Sequence, residues 1–160
     1  MHGNLIRNTQ LDTLGKGLGY VPSGSTFAAS GSLGWNILNE DVSLPVAVLR
    51  QSRIEHNLVW MKQFIECYGV ELAPHGKTTM SPELFQMQLK HGAWGITLAT
   101  ASQVQAAAAH GIPRVIMANQ LVGKGNMAII ARLQQADPSF YFCCIVDSAA
   151  NADALGKYFS

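Results

Sequence analysis

A short stretch in the middle of the chain combines residue types that can do covalent chemistry. It runs Pro74-His75-Gly76-Lys77-Thr78, after an apolar segment and before a stretch that begins like a helix. A lysine held at a strand end between apolar walls loses hydration, which disfavours its ammonium form and lowers its pKa. The neutral amine of such a lysine forms Schiff bases. Lys77 is therefore the candidate catalytic residue, against the alternative of a solvated surface lysine.

Two glycine-containing segments raise the alternative of phosphate binding, and neither fits the motif. Gly76-Lys77-Thr78 has the ending of a P-loop, but that motif requires glycine five residues before Gly76, where Glu71 stands. The segment Gly15–Gly19 follows no predicted strand and begins no predicted helix, so we interpret it as an arm or loop rather than a dinucleotide fingerprint. We therefore do not expect nucleotide binding through either segment.

The composition is that of an ordinary globular core. The chain has 160 residues, of which 48% are hydrophobic and 13% charged, and its net charge is +1. This balance lacks the basic stripe that phosphate backbones require, and no apolar run approaches the roughly 20 residues that cross a bilayer. We also see no secretory signal. We therefore expect a cytoplasmic protein with neither nucleic acid nor membrane as a partner.

The cysteines offer no metal or disulfide chemistry. Cys67, Cys143 and Cys144 lie in apolar runs, and the spaced pairs typical of zinc sites are missing. We expect three buried free thiols.

Two His-Gly pairs have a structural interpretation. His91-Gly92 and His110-Gly111 each stand where a predicted helix ends. Glycine there supplies a left-handed residue, and histidine interacts favourably with the carboxyl end of the helix dipole. We expect His91 and His110 to be capping residues rather than metal ligands.

Strands and helices alternate after residue 43. The predicted strands are 44–50, 70–74, 94–98, 114–119 and 140–146, and the predicted helices are 52–68, 82–91, 102–110, 125–136 and 149–158. This order indicates an α/β fold with a parallel sheet covered by helices. A complete (β/α)8 barrel needs about 250 residues, so the chain has room for roughly half of one. We divide it into an N-terminal arm or irregular leader, residues 1–43, and a partial barrel domain, residues 44–160.

The central loop and the segments that follow it resemble a known family. The segments are Pro74-His75-Gly76-Lys77-Thr78, Gly92-Ala93-Trp94-Gly95-Ile96, Leu98-Ala99-Thr100-Ala101 and Val115-Ile116-Met117-Ala118-Asn119-Gln120. Their order is similar to the N-terminal half of D-threonine aldolase and D-serine dehydratase-like enzymes, and within that group to the bacterial amino acid deaminases. The resemblance covers about residues 44–150.

The resemblance implies a pyridoxal 5′-phosphate enzyme of fold type III. It implies the N-terminal half of an alanine racemase-like (β/α)8 barrel, with the C-terminal β domain missing from this chain, and a homodimer when full-length. Lys77 matches the lysine that holds the cofactor as a Schiff base. His75 and Thr78 match neighbouring cofactor-binding positions, although His75 could equally be a packed residue at a strand end. Asn119 lies at a strand end that could face the cofactor. A divalent metal, zinc or manganese, would have its ligands outside this chain.

Departures from the family pattern bear on the reaction. Ala73 stands where many relatives carry arginine, and Thr79-Met80 replaces the basic, histidine-containing continuation common in aldolases. We therefore expect a lyase or deaminase that converts a D-serine- or D-threonine-like substrate to a keto acid and ammonia by β-elimination. D-threonine aldolase activity is the alternative.

Two further alternatives belong to other classes of protein. One is a non-catalytic pyridoxal 5′-phosphate-binding protein that serves cofactor homeostasis. The other is a fragment without activity, because half a barrel exposes apolar strand edges that invite pairing and aggregation. We expect the 160-residue chain to be a fragment that alone neither turns over substrate nor binds the cofactor tightly.

Overall fold

In a computed structural model, which describes residues 7–12 and 17–160, the chain divides into two units, Met1–Ile54 and Glu55–Ser160. The first six residues lie outside the described residues, and so does the beginning of the glycine-containing segment Gly15–Gly19. Among its described residues, the first unit contains the 3-10 helices Phe27–Ser32 and Ile37–Asn39. The described residues of this unit also form isolated antiparallel bridges, such as that between Gly19 and Val42.

The strand predicted over residues 44–50 is wrong. No residue of this segment is in a strand, and the side chains of Leu44, Val48 and Leu49 are exposed. An extended segment becomes a strand only when a neighbour pairs with its backbone. Among the residues described, no strand pairs with this segment, so its apolar pattern does not produce one.

The second unit contains a three-stranded parallel sheet in the order β1-β2-β3. The strands are β1 (Ile96–Leu98), β2 (Arg114–Gln120) and β3 (Tyr141–Ile145). The helices, in chain order, are α1 (Gln51–Tyr68), α2 (Pro82–Lys90), α3 (Ala101–Ala109), α4 (Lys124–Ala136) and α5 (Ala149–Phe159). Every predicted helix is confirmed, and so is the parallel α/β arrangement.

The core of this unit lies between the sheet and its helices. Ile96 and Leu98 of β1 are fully buried and belong to one cluster with Val104 of α3, Val115 of β2 and Ile130 of α4. Parallel strands have such uniformly apolar residues because helices cover the sheet. The core therefore fixes the positions of the strand ends.

The segment predicted as a strand over 70–74 runs beside β1 without forming a regular strand. The amide of Trp94 donates to the carbonyl of Leu72 at 2.8 Å, and the amide of Thr97 donates to the carbonyl of Pro74 at 2.8 Å. The two donors, Trp94 and Thr97, are three positions apart, whereas the two acceptors, Leu72 and Pro74, are two positions apart. In addition, Pro74 has no amide hydrogen to donate. For these reasons the pairing is reduced to one isolated parallel bridge between His75 and Thr97.

The two predicted helix stops are confirmed. His91 and His110 are the C-cap residues of α2 and α3, and Gly92 and Gly111 follow them with φ of +94° and +76°. The Nδ1 of His91 donates to the carbonyl of Met87 at 2.7 Å. Both histidines therefore end helices, and the side chain of His91 also contributes a hydrogen bond there.

The cysteines correct one expectation. All three are free thiols, but Cys67 is exposed and Cys143 and Cys144 are only partly buried. Cys67 lies on a part of α1 that the core does not cover, and β3 is an edge strand of the described sheet.

In the described ranges, the helices are too short or too polar to cross a membrane.

Leu98→Ala should test the position of the core. Leu98 has no exposed surface, so removing its side chain should leave a cavity and lower the free energy of unfolding by about 2–5 kcal/mol. Leu38, which is 91% exposed, offers the matched control Leu38→Ala, for which we expect a change within about 0.5 kcal/mol. Urea unfolding followed by circular dichroism measures both, and equal losses would contradict the packing.

Gly76→Ala should test the packing beneath the central loop. A Cβ at Gly76 would overlap Cε1 of Phe85, and it would lie 2.7 Å from Cζ of Phe85 and 2.8 Å from Cγ2 of Ile96. We expect a loss of about 1–3 kcal/mol in the free energy of unfolding, the usual cost of overpacking. Gly125→Ala is the control, because no atom lies within 4 Å of its added Cβ and alanine favours the helix. An unchanged stability for Gly76→Ala would show that the loop does not pack in this way.

Candidate active site

The carboxyl ends of the parallel strands lie at one edge of the sheet, and the candidate residues lie along this edge. The loop 75–80 follows the segment beside β1, Ala99 and Thr100 follow β1 itself, and Asn119 is near the end of β2. Reactive residues of parallel α/β folds collect at this edge. The loop that contains Lys77 therefore occupies the position that the sequence predicts.

Backbone hydrogen bonds place this loop beside β1. The amide of Gly76 donates to the carbonyl of Thr97 at 2.8 Å, and the amide of Thr97 donates to the carbonyl of Pro74 at the same distance. Residues 77–79 then form a turn that closes when the amide of Met80 donates to the carbonyl of Gly76 at 2.9 Å. Lys77 is thus the first residue of a turn that projects beyond the sheet.

The side chain of Lys77 is exposed, which corrects the expectation of a sheltered lysine. The turn extends past the buried Gly76, and in the described part of the chain no side chain contributes a hydrogen bond or ion pair to the Lys77 amine. Sheltering requires apolar groups from other loops to cover the turn. The amine is therefore open to solvent and to small molecules.

The structure places the other three predicted residues along the same edge, and all are exposed. His75 forms the backbone bridge with Thr97, and Thr78 belongs to the turn. The Nδ2 of Asn119 donates to the carbonyl of Ala99 at 2.9 Å, so this group is used in joining the ends of β1 and β2. The assignment of the three side chains to cofactor binding stays a prediction.

Gln103 is a residue at this edge that sequence reasoning missed. Its Oε1 accepts from the amide of Ala99 at 2.9 Å, and its Nε2 donates to the carbonyl of Lys77 at 3.4 Å. Thr100 and Gln103 have the T-x-x-Q spacing of a capping box, in which the fourth side chain reaches back toward the start of the helix. That spacing signals a side chain that points toward the strand end.

A second polar contact joins the ends of β2 and β3. The Nε2 of Gln120 donates to Oδ2 of Asp147 at 2.6 Å. This contact adds one carboxylate, that of Asp147, to the edge. Within the described ranges, no three His, Cys, Asp or Glu side chains come together as metal ligands. The described edge therefore presents amide and hydroxyl side chains, the carboxylate of Asp147, the imidazole of His75 and the amine of Lys77.

Two groups whose pKa values are shifted lie at the opposite edge of the sheet, where the strands begin. The side-chain and backbone hydrogen bonds that Asp137 accepts from Ser139 lower the pKa of the Asp137 carboxyl. A hydrogen bond with Cys143 raises the pKa of the Tyr141 phenol. Tyr141 also packs edge-on against Trp94, whose ring lies 5.5 Å from the Arg114 guanidinium. These contacts support the start of the strands and are remote in sequence from the Lys77 loop.

Sequence comparison finds relatives over most of this chain. No family model matches it. The chain is 33% identical over 116 residues to D-threonine aldolase from Arthrobacter sp., a match that covers 72% of this chain and 30% of the relative. It is 31% identical over 114 residues to D-threo-3-hydroxyaspartate dehydratase from Delftia sp. (strain HT23), covering 71% of this chain and 29% of the relative. The chain therefore spans less than a third of the length of the curated relatives it matches.

Solved structures give the same result. D-threonine aldolase from Filomicrobium marinum matches with a TM-score of 0.68 and 25% identity, covering 74% of this chain and 31% of the other. D-threo-3-hydroxyaspartate dehydratase from Delftia sp. HT23 matches with a TM-score of 0.66 and 28% identity, covering 72% and 30%. The parallel sheet is thus consistent with part of a barrel domain. By fold and sequence, this chain is therefore similar to part of D-threonine aldolase and of D-threo-3-hydroxyaspartate dehydratase.

Proposed function

We propose that this chain is part of a pyridoxal 5′-phosphate-dependent lyase that acts on D-amino acids, with Lys77 as its cofactor-binding and catalytic residue. The observation that supports this most directly is the place of Lys77. It lies one residue after a buried glycine at the carboxyl edge of the parallel sheet, with its amine exposed. The relatives named above support the reaction class, since both are named for reactions of D-amino acids.

The residues present fit the attachment of an aldehyde cofactor. The amine of Lys77 is accessible from solvent, so it would hold an aldehyde cofactor covalently if one were bound. When bound, pyridoxal 5′-phosphate supplies an electron sink for negative charge at the substrate Cα. Three exposed residues at the same edge, His75, Thr78 and Asn119, are available to bind the cofactor.

With substrate and cofactor bound, Lys77 would act as a general base. Its Nζ would accept the proton from Cα and hold it. Loss of the β-hydroxyl group as water would then give an enamino acid, and uptake of one water by its imine tautomer would give the keto acid and ammonia. We therefore propose a D-amino acid with a β-hydroxyl group, such as D-serine or D-threonine, as the substrate.

Aldol cleavage is the second candidate, and a specific observation favours it: the relative that is 33% identical is a D-threonine aldolase. The two reactions break different bonds. Elimination breaks the Cβ–O bond and gives a keto acid and ammonia, whereas aldol cleavage breaks the Cα–Cβ bond and gives glycine and an aldehyde. Product analysis with D-threonine therefore separates them.

A metal ion enters the proposal only through a relative. One solved structure of D-threo-3-hydroxyaspartate dehydratase is of a mutant in its metal-free form. For this protein we propose that zinc or manganese, if used, takes ligands from other parts of the full-length protein. No step assigned to Lys77 depends on it.

We also propose a cytoplasmic location and, for the full-length protein, a homodimer. The location is supported by the free thiols, because an exposed cysteine such as Cys67 persists unpaired in a reducing compartment.

Lys77→Arg should remove the covalent attachment while keeping the positive charge. Incubation with pyridoxal 5′-phosphate, reduction with borohydride and peptide mass spectrometry should find more adduct at Lys77 than at any other lysine. We expect Lys77→Arg to remove this largest single adduct and to leave the adducts at the other lysines unchanged, because a guanidinium does not condense with the aldehyde under these conditions. Lys124→Arg, at another exposed lysine, is the matched control and should retain the Lys77 adduct. A Lys77→Arg chain that kept the full adduct would refute the assignment.

A further inference from the structure

The side chain of Gln103 connects two parts of the carboxyl edge that are distant in sequence. Its side-chain amide accepts a hydrogen bond from the backbone amide of Ala99. The same side-chain amide donates a hydrogen bond to the carbonyl of Lys77, 26 residues away along the chain. We propose that Gln103 is the positioning residue of the site, holding the backbone of Lys77 against the end of β1. This inference rests on the proposed function of Lys77.

Gln103 is suited to this role because its own position is well determined. The backbone amide of Gln103 donates to Oγ1 of Thr100, the N-cap of α3, at 3.3 Å. Its neighbours Ala101 and Val104 are buried in the core, with 2% and 0% of their surfaces exposed. The first turn of α3 is therefore a rigid base from which the half-buried Gln103 side chain reaches the loop.

The turn that begins at Lys77 needs such a contact because it extends beyond the residues that pair with β1. Lys77 and Thr78 are exposed, and the neighbouring hydrogen bond from Met80 closes the turn on itself rather than on the sheet. The contact from Gln103 is a link between the carbonyl of Lys77 and the core-packed helix α3. A reacting amine on a long flexible side chain is productive only when its backbone is fixed near the reaction geometry.

Asn119 extends the connection to β2. Its Nδ2 donates to the carbonyl of Ala99, whose amide donates to Gln103. Side-chain amides from β2 and α3 therefore engage both polar groups of the Ala99 backbone. The Gln103 contact thus joins the Lys77 loop to the ends of two strands.

A purely structural role for Gln103 as a helix cap is the competing explanation, and two substitutions separate the roles. Gln103→Glu keeps an oxygen that can accept from Ala99 but removes the N–H group that donates to Lys77. The negative charge in the first turn also favours α3, so loss of folding does not confuse the result. Gln103→Met removes both hydrogen bonds. Gln105→Met is the matched control, because Gln105 is an exposed residue of the same helix.

The first measurement is hydrogen exchange of the Met80 amide by NMR, on the 160-residue chain without cofactor. We expect about three- to tenfold faster exchange in both Gln103 variants, the factor that one hydrogen bond of ordinary net strength gives. Gln105→Met should exchange like the unaltered chain. Unchanged exchange in Gln103→Glu would overturn the proposal, because a cap alone would then account for the residue.

The second measurement is the share of pyridoxal 5′-phosphate that borohydride traps at Lys77 relative to the other lysines. Both Gln103 variants should lower this share by about the same three- to tenfold factor, with Gln105→Met unchanged. A share that stays constant in both variants would also overturn the proposal. If the unaltered chain shows no preference for Lys77, the proposed function fails, and the exchange of the Met80 amide alone decides whether Gln103 holds the loop.

Discussion

The hydrogen bonds of Thr97 are the interaction on which the candidate site depends. Thr97 is 6% exposed, and its amide donates to the carbonyl of Pro74 while its carbonyl accepts from the amide of Gly76. Its hydroxyl donates to the carbonyl of Ala73 at 2.6 Å. Buried polar groups are costly unless paired, so this residue keeps its environment only when the segment 73–76 lies beside it. The position of the Lys77 loop follows from that pairing.

Close packing on the inner side determines which residue can precede Lys77. Gly76 lies against the ring of Phe85 and the side chain of Ile96, with no room for a Cβ. The chain therefore contacts the core at Gly76 and turns away from it at Lys77. For this reason a buried glycine is followed directly by an exposed lysine. Helix α2 begins soon afterwards at Pro82, with Ser81 as its N-cap. The core and the site thus use the same few residues.

Local signals in the sequence predicted the parts of this structure that depend on local interactions. The cap at Ser81 and the stops at His91 and His110 are set by neighbouring residues, so the helices were predictable. The strand over 70–74 was harder, because its regularity depends on the spacing of its partner residues from Trp94 to Thr97. The exposure of Lys77 depends on which distant groups cover the turn. The contact of Gln103 with Lys77 joins residues 26 positions apart, and no local pattern specifies that pairing.

The central claim is that backbone pairing with Thr97 places the Lys77 loop at the carboxyl edge of the sheet. Its most direct test is the scalar coupling transmitted through the hydrogen bond between the Gly76 amide nitrogen and the Thr97 carbonyl carbon, measured by NMR on isotope-labelled protein. The account predicts a cross-peak that links these two atoms, together with a slowly exchanging Gly76 amide. A missing cross-peak with exchange of the Gly76 amide at the rate of an unprotected amide would contradict it.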